Sequence, residues 1–140
     1  MILQTDYRLP KQVNKYGCYF MCILWFANKY RHIILDTTYI TDFYHECVRH
    51  GHMDADCYIH KPDDLFRNQQ LYAVYTGKHE SPDKPCARGQ IEILRWETPK
   101  GSPHFVAGDG AGHVTYDPMG VSRTVRIGKL ESKRIFAIYD

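Results

Sequence analysis

Four side chains have the types and the order that thiol-dependent hydrolysis requires: Gln12, Cys18, His104 and Asp117. In such chemistry a thiolate attacks a carbonyl group, a histidine shares the thiol proton, and a carboxylate or amide orients the histidine. Hydrogen-bond donors must also face the oxyanion that forms. Cys18 follows Gly17 and opens an apolar segment, so a helix that begins there would direct the positive end of its dipole at the sulfur. The side-chain amide of Gln12 is a suitable oxyanion donor.

His104 and Asp117 are predicted to lie close together because of the turn between them. Segments 104–107 and 113–116 are typical of short strands, and residues 108–112, Gly-Asp-Gly-Ala-Gly, form a strong hairpin signal. A hairpin brings the outer ends of its two strands together, and these two residues are the outer ends. Their proximity therefore follows from local sequence alone.

The arrangement resembles the papain-like cysteine peptidase superfamily, most closely the bacteriocin-processing peptidases that cleave after a double glycine, with their minimal relatives. The motifs that carry it are Q-x5-C at a helix start, a distant H-F-V, and D-P after a glycine turn. The resemblance implies that Cys18 is the nucleophile, His104 the general base and Asp117 the residue that orients it. Gln12 and the Cys18 backbone N–H would hold the oxyanion. It implies no metal and no other cofactor. The chain departs from many relatives, which have Cys-Gly, in having Tyr19 after the cysteine.

Other residues near this motif offer alternatives. His113 lies four residues before Asp117, but on the same strand, so His104 is the preferred base. Asp109 lies at the predicted hairpin tip, away from the other candidates. Trp96 ends a strand shortly before His104; it could line the cleft or shield the histidine, and core packing is the preferred interpretation.

The segment 45–60 contains six potential metal ligands, namely His45, Cys47, His50, His52, Cys57 and His60. Their spacing fits no known zinc pattern, and in a helix the first two would point to different faces. A polar helix end and a histidine-rich loop are the preferred interpretation, with no metal bound.

The elements that must position these residues change in character along the chain. Residues 3–14 are predicted to be extended, followed by helices at 18–30, from about 38 or 41 to 51, and at 61–68. Strands are predicted at 70–76, 90–97, 104–107, 113–116, 122–127 and 134–139, with a polar loop at 77–89. The sequence thus predicts one α+β domain spanning 1–140, with N-terminal helices packed on a C-terminal antiparallel sheet. The resemblance gives this architecture a papain-like form, with a central helix that bears the cysteine.

Composition narrows the classes of function. The chain has 140 residues, 44% hydrophobic and 24% charged, and a formal net charge of +2 with no basic run. These values argue against nucleic acid or a membrane as a partner. Five cysteines cannot all pair internally, and the N-terminus shows no secretory signal, which favours reduced thiols in the cytoplasm. Export by another route stays open.

The leading functional hypothesis is a cysteine peptidase or amidase that acts on a peptide, isopeptide or peptidoglycan stem, with a partner protein as a further option for supplying specificity. A second hypothesis is an idle papain-like fold that serves as a binding module or inhibitor, with loop 77–89 and the histidine-rich segment as contact surfaces. A third is an acyl transferase, because that chemistry uses the same triad. No oligomeric state follows from the sequence.

Overall fold

A computed structural model describes residues 1–101 and 103–139, apart from the side chain of Lys78. Five helices are present in these residues: α1 (Lys11–Tyr16), α2 (Cys18–Arg31), α3 (Thr37–Arg49), α4 (Pro62–Arg67) and α5 (Arg123–Ile127). Five strands form one sheet: β1 (Ala73–Glu80), β2 (Gln90–Glu97), β3 (Pro103–Gly108), β4 (Val114–Tyr116) and β5 (Lys129–Ile138). The predicted α+β class, with helices packed against an antiparallel sheet, is confirmed.

Helix α2 is the centre of the hydrophobic core. Seven of its fourteen residues are buried, on all sides of the helix, as expected for an element packed between neighbours. The helix ends at His32, which adopts the left-handed conformation with φ 53° and donates its N–H to the Asn28 carbonyl oxygen. Its ring contacts include Trp25 stacked on Tyr116 of β4, with ring centroids 5.8 Å apart. The helix is therefore packed against the sheet.

The other helices begin where their sequences allow the first N–H groups to be satisfied. Asp36 caps α3, and its carboxylate accepts the Tyr39 N–H at 2.8 Å. The helix begins at Thr37, one residue before the first predicted start, Thr38, and four before the second, Thr41. Pro62 occupies the first turn of α4, a position that needs no backbone donor, and this helix matches its prediction.

The sheet has the order β1-β5-β2-β3-β4, and its paired strands run antiparallel. Strand β5 pairs with β1 on one side and with β2 on the other, although it is the last strand in sequence. The turn at 108–112 joins β3 to β4 as predicted, with Asp109 donating its N–H to the His113 carbonyl oxygen at 2.9 Å. Strand β1 continues to Glu80, so the predicted loop is shorter than expected.

Two predictions of local structure are wrong. Residues 122–127 were expected to form a strand, but Ser122 caps helix α5 by accepting the Val125 N–H at 3.3 Å. Residues 3–14 were expected to be extended, but helix α1 begins at Lys11, directly after Pro10. Both segments are short, so tertiary contacts outweigh their local strand preference.

A fully buried ion pair joins the neighbouring strands β2 and β5. Lys133 of β5 lies 2.9 Å from Glu92 of β2, and the two side chains are 1% and 0% exposed. Glu92 also accepts the N–H groups of Gly110 and Gly112, and Lys133 donates to the Lys84 carbonyl oxygen. The pair thus joins the β3–β4 turn and the loop after β1 to the sheet.

Candidate functional site

Cys18 is the first residue of α2, and Gly17 forms the junction between α1 and α2. Gly17 is both the C-cap of α1 and the N-cap of α2, and it donates its N–H to the Val13 carbonyl oxygen at 2.9 Å. A Cβ atom at Gly17 would lie 2.6 Å from that oxygen, so the tight junction itself requires glycine. The first N–H groups of a helix have no intrahelical acceptor, which leaves the Cys18 N–H available as a donor beside its own thiol.

His104 and Asp117 form a buried pair at the open end of the β3–β4 hairpin. Nε2 of His104 lies 2.7 Å from Oδ1 of Asp117, and the residues are 7% and 8% exposed. The predicted proximity of these two residues is confirmed. The carboxylate is held in turn by the Met119 N–H at 2.9 Å and the Ser122 N–H at 3.0 Å.

These hydrogen bonds fix the charge of the carboxylate. Burial alone would raise the pKa of Asp117, but its bonds to His104, Ser122 and Met119 outweigh burial and lower the pKa to about 2. Asp117 is therefore an anion at neutral pH, and its negative charge stabilises a protonated imidazole beside it.

The thiol of Cys18 is a second polar neighbour of His104. Because Asp117 occupies Nε2, Nδ1 is the ring nitrogen left for the sulfur. Burial acts to lower the pKa of His104, but the bond to Asp117 and the interaction with Cys18 raise it from 6.5 to about 9. The structure thus brings together three of the four predicted residues, with the histidine between sulfur and carboxylate.

The alternative histidine is engaged elsewhere. His113 is exposed at the hairpin, and its Nδ1 lies 3.0 Å from Oδ2 of Asp109. Asp109 also accepts the N–H groups of Ala111 and His113, which with the histidine side chain lower its pKa to about 2. Two His–Asp pairs therefore exist on one hairpin, and only the buried pair contacts the thiol.

Gln12 lies on α1, two turns of chain before Cys18. Its side chain is exposed, and its backbone oxygen is 3.8 Å from the Cys57 sulfur. The short helix α1 places it close in sequence to the thiol, but its contact with an oxyanion stays a prediction.

A groove with a volume of about 700 Å³ lies beside Cys18. Loop residues 56–60, strand residues of β1, β3 and β5, and the end of α1 line it. Aromatic side chains form much of its wall: Tyr16, Tyr19, Tyr58, Tyr75 and Phe105. An extended peptide would find both apolar surface and polar hydroxyl groups there.

Sequence reasoning missed two residues of this groove, Arg134 and His79. They lie on neighbouring strands, and Nη2 of Arg134 donates to Nδ1 of His79 at 3.3 Å. Burial, together with Arg134, lowers the pKa of His79. No local pattern marks either residue, because 55 residues separate them in the sequence.

The remaining thiols differ from Cys18 in their surroundings. Burial raises the pKa of Cys47 and of Cys57 to about 12, and that of Cys22 well above its usual range. Burial and Glu92 raise the pKa of Cys86 to about 11. At neutral pH these four are protonated thiols, which are poor nucleophiles.

The histidine-rich segment 45–60 is held by pairwise contacts. His50 lies 3.1 Å from Glu46, His60 lies 2.7 Å from Asp54, and His52 contacts Asn68 at 3.0 Å. In the part of the chain that the structure describes, no three potential ligands lie close enough to share a metal ion.

Comparisons with known proteins add a family assignment. No curated protein and no solved structure matches the chain. Among residues 1–101 and 103–139, no helix is long and apolar enough to cross a membrane. A family model described as "Protein of unknown function, DUF261" matches residues 1–138. Since this match spans nearly the whole sequence, the chain belongs to the DUF261 family.

Proposed function

We propose that this protein is a cysteine peptidase or amidase with a papain-like fold, and that Cys18, His104 and Asp117 form its catalytic triad. One observation carries the proposal: a half-buried thiol at a helix N-terminus lies beside a histidine, and Nε2 of that histidine bonds to a buried carboxylate. That order of groups is what a thiol nucleophile needs for activation.

The chemistry proceeds in two halves. The Cys18 thiolate attacks the substrate carbonyl carbon, and the resulting oxyanion accepts hydrogen bonds from the Cys18 N–H and the Gln12 amide. His104, carrying the thiol proton, protonates the leaving amine as the C–N bond breaks and a thioester forms. A water molecule then attacks the thioester while His104 takes its proton, releasing the acid and the thiolate. Asp117 keeps the imidazole oriented and stabilises its charged form.

The proposed substrate is a peptide or protein segment that lies in the groove beside Cys18. The aromatic wall offers rigid contact area at low cost in side-chain entropy, and Tyr16 and Tyr58 are exposed there. The same wall also supports a binding module without catalysis, the second candidate function. An acyl transferase would use the same triad with a substrate amine, rather than water, as the final acceptor.

Alkylation of Cys18 by iodoacetamide tests the proposal without knowledge of the substrate. The rate is measured by peptide mass spectrometry across pH, with free glutathione in the same reaction as the reference thiol, because the raised pKa of Cys86, about 11, makes that residue slower than an ordinary thiol. A catalytic pair predicts that at about pH 6 Cys18 reacts at least about tenfold faster than glutathione. His104→Ala should slow Cys18 by about tenfold or more, whereas the matched control His113→Ala, at the exposed pair, should not.

The outcomes separate the hypotheses. Fast labelling that depends on His104 supports an enzyme, and release of product from a peptide library then distinguishes hydrolysis from transfer to an added amine. Labelling of Cys18 no faster than glutathione contradicts the enzyme and leaves the binding module.

A further inference from the structure

The groove beside Cys18 has an arginine in its wall that the proposed mechanism does not use. Arg134 of β5 is only 8% exposed, yet it lines the groove together with Cys18. Its guanidinium carbon lies 5.0 Å from the centre of the Phe105 ring. The Phe105 ring in turn lies 4.7 Å from the ring of Tyr19, the residue after Cys18. Two aromatic rings therefore connect the thiol end of the groove to the guanidinium.

The guanidinium is hydrogen-bonded to uncharged partners. Nη1 donates to the Ser132 hydroxyl at 2.7 Å, and Nη2 donates to the His79 ring at 3.3 Å. Within the described residues, no carboxylate lies within salt-bridge distance of Arg134. The acid nearest in sequence, Glu131, pairs with Arg95 at 3.0 Å and bonds to Ser132. Burial lowers the pKa of Arg134, but an arginine side chain keeps its proton in proteins.

A buried cation without a carboxylate in direct contact is costly, because water is removed and Glu131 acts on it only at longer range and through the Ser132 hydroxyl. The Phe105 ring offsets only part of that cost. Arginine presents several donors in a fixed planar arrangement, which suits two-pronged binding of a carboxylate. The groove also contains Lys15, and its one acidic lining residue, Asp56, is exposed and bonds to the Tyr58 N–H in its own loop.

We propose that Arg134 is a specificity residue that binds a substrate carboxylate, so that the groove selects peptides bearing an acidic group within a few residues of the bond that Cys18 attacks. This inference rests on the proposed function, since it assigns the substrate class of the same site. The carboxylate can belong to an aspartate or glutamate side chain or to a free C-terminus. Both present the same two oxygens to the guanidinium.

Four chloroacetyl dipeptides test the proposal and distinguish a side-chain carboxylate from a C-terminal one. Each carries either Glu or Gln at one position and ends in either a free carboxylate or an amide. The Cys18 thiolate displaces chloride from the chloroacetyl group to form a thioether. Intact-protein mass spectrometry gives the rate of modification of Cys18, with Cys18→Ala as the blank. In the wild type, we expect at least one acidic member to react about tenfold faster than its neutral counterpart. A faster rate with Glu than with Gln identifies a side-chain carboxylate as the group recognised, and a faster rate with the free acid than with the amide identifies the C-terminus.

The ratio of acidic to neutral rates is then compared among variants. Arg134→Gln should bring the ratio close to one, and Arg134→Lys, which keeps the charge but loses the planar fork, should retain part of it. Arg95→Gln is the matched control, because Arg95 lies on the neighbouring strand, is paired with Glu97 and Glu131, and does not line the groove. It should keep the wild-type ratio. A wild-type ratio near one, or an equal ratio in the wild type and Arg134→Gln, overturns the inference.

A second measurement separates this inference from the proposed function. The same four dipeptides, with acetyl in place of chloroacetyl, are titrated by calorimetry into the Cys18→Ala variant. This assay measures binding and needs no reactive thiol. Tighter binding of an acidic member, lost in the Cys18→Ala, Arg134→Gln double variant, supports carboxylate recognition even if iodoacetamide shows Cys18 to be unreactive. Fast, His104-dependent labelling with no acidic preference in either assay leaves the peptidase standing and removes Arg134 from substrate selection.

Discussion

Trp96 lies directly across the β2–β3 ladder from His104. Residues opposite each other in an antiparallel pair share one face of the sheet, so the indole is a neighbour of the proposed general base. Trp96 is half-buried and is not part of the main hydrophobic core, which fits shielding of the histidine better than the core packing expected from the sequence. Its indole Nε1 is buried without a hydrogen-bond partner among the described residues.

The effect of replacing Trp96 on stability and on labelling of Cys18 should therefore depend on the size of the new side chain. Trp96→Phe keeps an apolar ring and removes a buried unsatisfied N–H, so the free energy of unfolding should change by less than about 1 kcal/mol. Trp96→Ala exposes the pair to water and removes packing, which should cost about 2–3 kcal/mol and slow iodoacetamide labelling of Cys18. Urea unfolding and labelling measure the two effects. Equal losses in both variants would contradict a shielding role.

Asp117→Asn should lower the pKa of His104. With the carboxylate gone, burial remains as the main influence, and it acts to lower the pKa of the imidazole. We expect the pKa of His104 to fall from about 9 toward its ordinary value, since Cys18 alone still acts to raise it, as measured by NMR titration of the ring. Loss of one partner of a buried pair should also cost about 3 kcal/mol in the free energy of unfolding. Asp109→Asn, at the exposed pair, is the matched control and should leave His104 unchanged.

The His104–Asp117 pair should make stability depend on pH. Because folding raises the pKa of His104 from 6.5 to about 9, its contribution is complete below pH 6.5 and is lost as pH rises through about 9. Because folding lowers the pKa of Asp117 from 3.8 to about 2, its contribution is present above pH 3.8 and lost as pH falls through about 2. Urea unfolding should show the largest excess in the free energy of unfolding of the wild type over His104→Gln between about pH 3.8 and pH 6.5, where both contributions are complete. A difference that stays constant up to about pH 10 would argue against a raised pKa.

Gly17→Ala should displace the Cys18 thiol while leaving the His104–Asp117 pair in place. The added methyl group would meet the Val13 oxygen at 2.6 Å and its Cγ1 at 2.8 Å, so α1 and α2 must separate. We expect a loss of about 1–3 kcal/mol in the free energy of unfolding and slower labelling of Cys18. Gly51→Ala, with no atom within 4 Å but a φ of 75°, controls for glycine removal at a helix end. It should lower stability without a change in labelling.

Lys133→Met should loosen the loop between β1 and β2. Glu92 would stay buried without its cation, which typically costs about 3–5 kcal/mol. The Lys84 carbonyl oxygen would lose its donor, and limited proteolysis with trypsin should cut after Arg88 sooner than in the wild type. Trypsin does not cut between Lys84 and Pro85, so Arg88→Gln, Lys133→Met should remove this early cleavage. Unchanged proteolysis and stability would show that the ion pair does not hold the loop.

The parts of the site that the sequence predicts are those that local rules determine. A glycine-rich turn places His104 and Asp117 together irrespective of the rest of the chain, and an apolar segment after Gly17 predicts the helix that begins at Cys18. Asp117 followed two residues later by a backbone donor is also a local pattern, typical of an aspartate in a turn. Such features need only neighbours in sequence.

The parts that could not be predicted depend on distant neighbours. Residues 122–127 alternate as a strand does, and their helical state follows from Asp117 holding the Ser122 N–H. Arg134 is a strand residue whose burial comes from Phe105 and His79, which belong to two other strands. Such packing between distant strands leaves no pattern in a single sequence, so the groove and the charge of Arg134 within it are known only from the structure.

The strand order has a consequence for how this protein matures during synthesis. Strand β5 inserts between β1 and β2, both made earlier, so these strands cannot join into the final sheet until residues 129–138 have left the ribosome. The thiol and the histidine are synthesised well before that moment, but Arg134 and Lys133 arrive only with β5. A nascent chain therefore carries the proposed nucleophile and base without the groove beside them, and the proposed recognition of a carboxylate by Arg134 can begin only after β5 has joined the sheet.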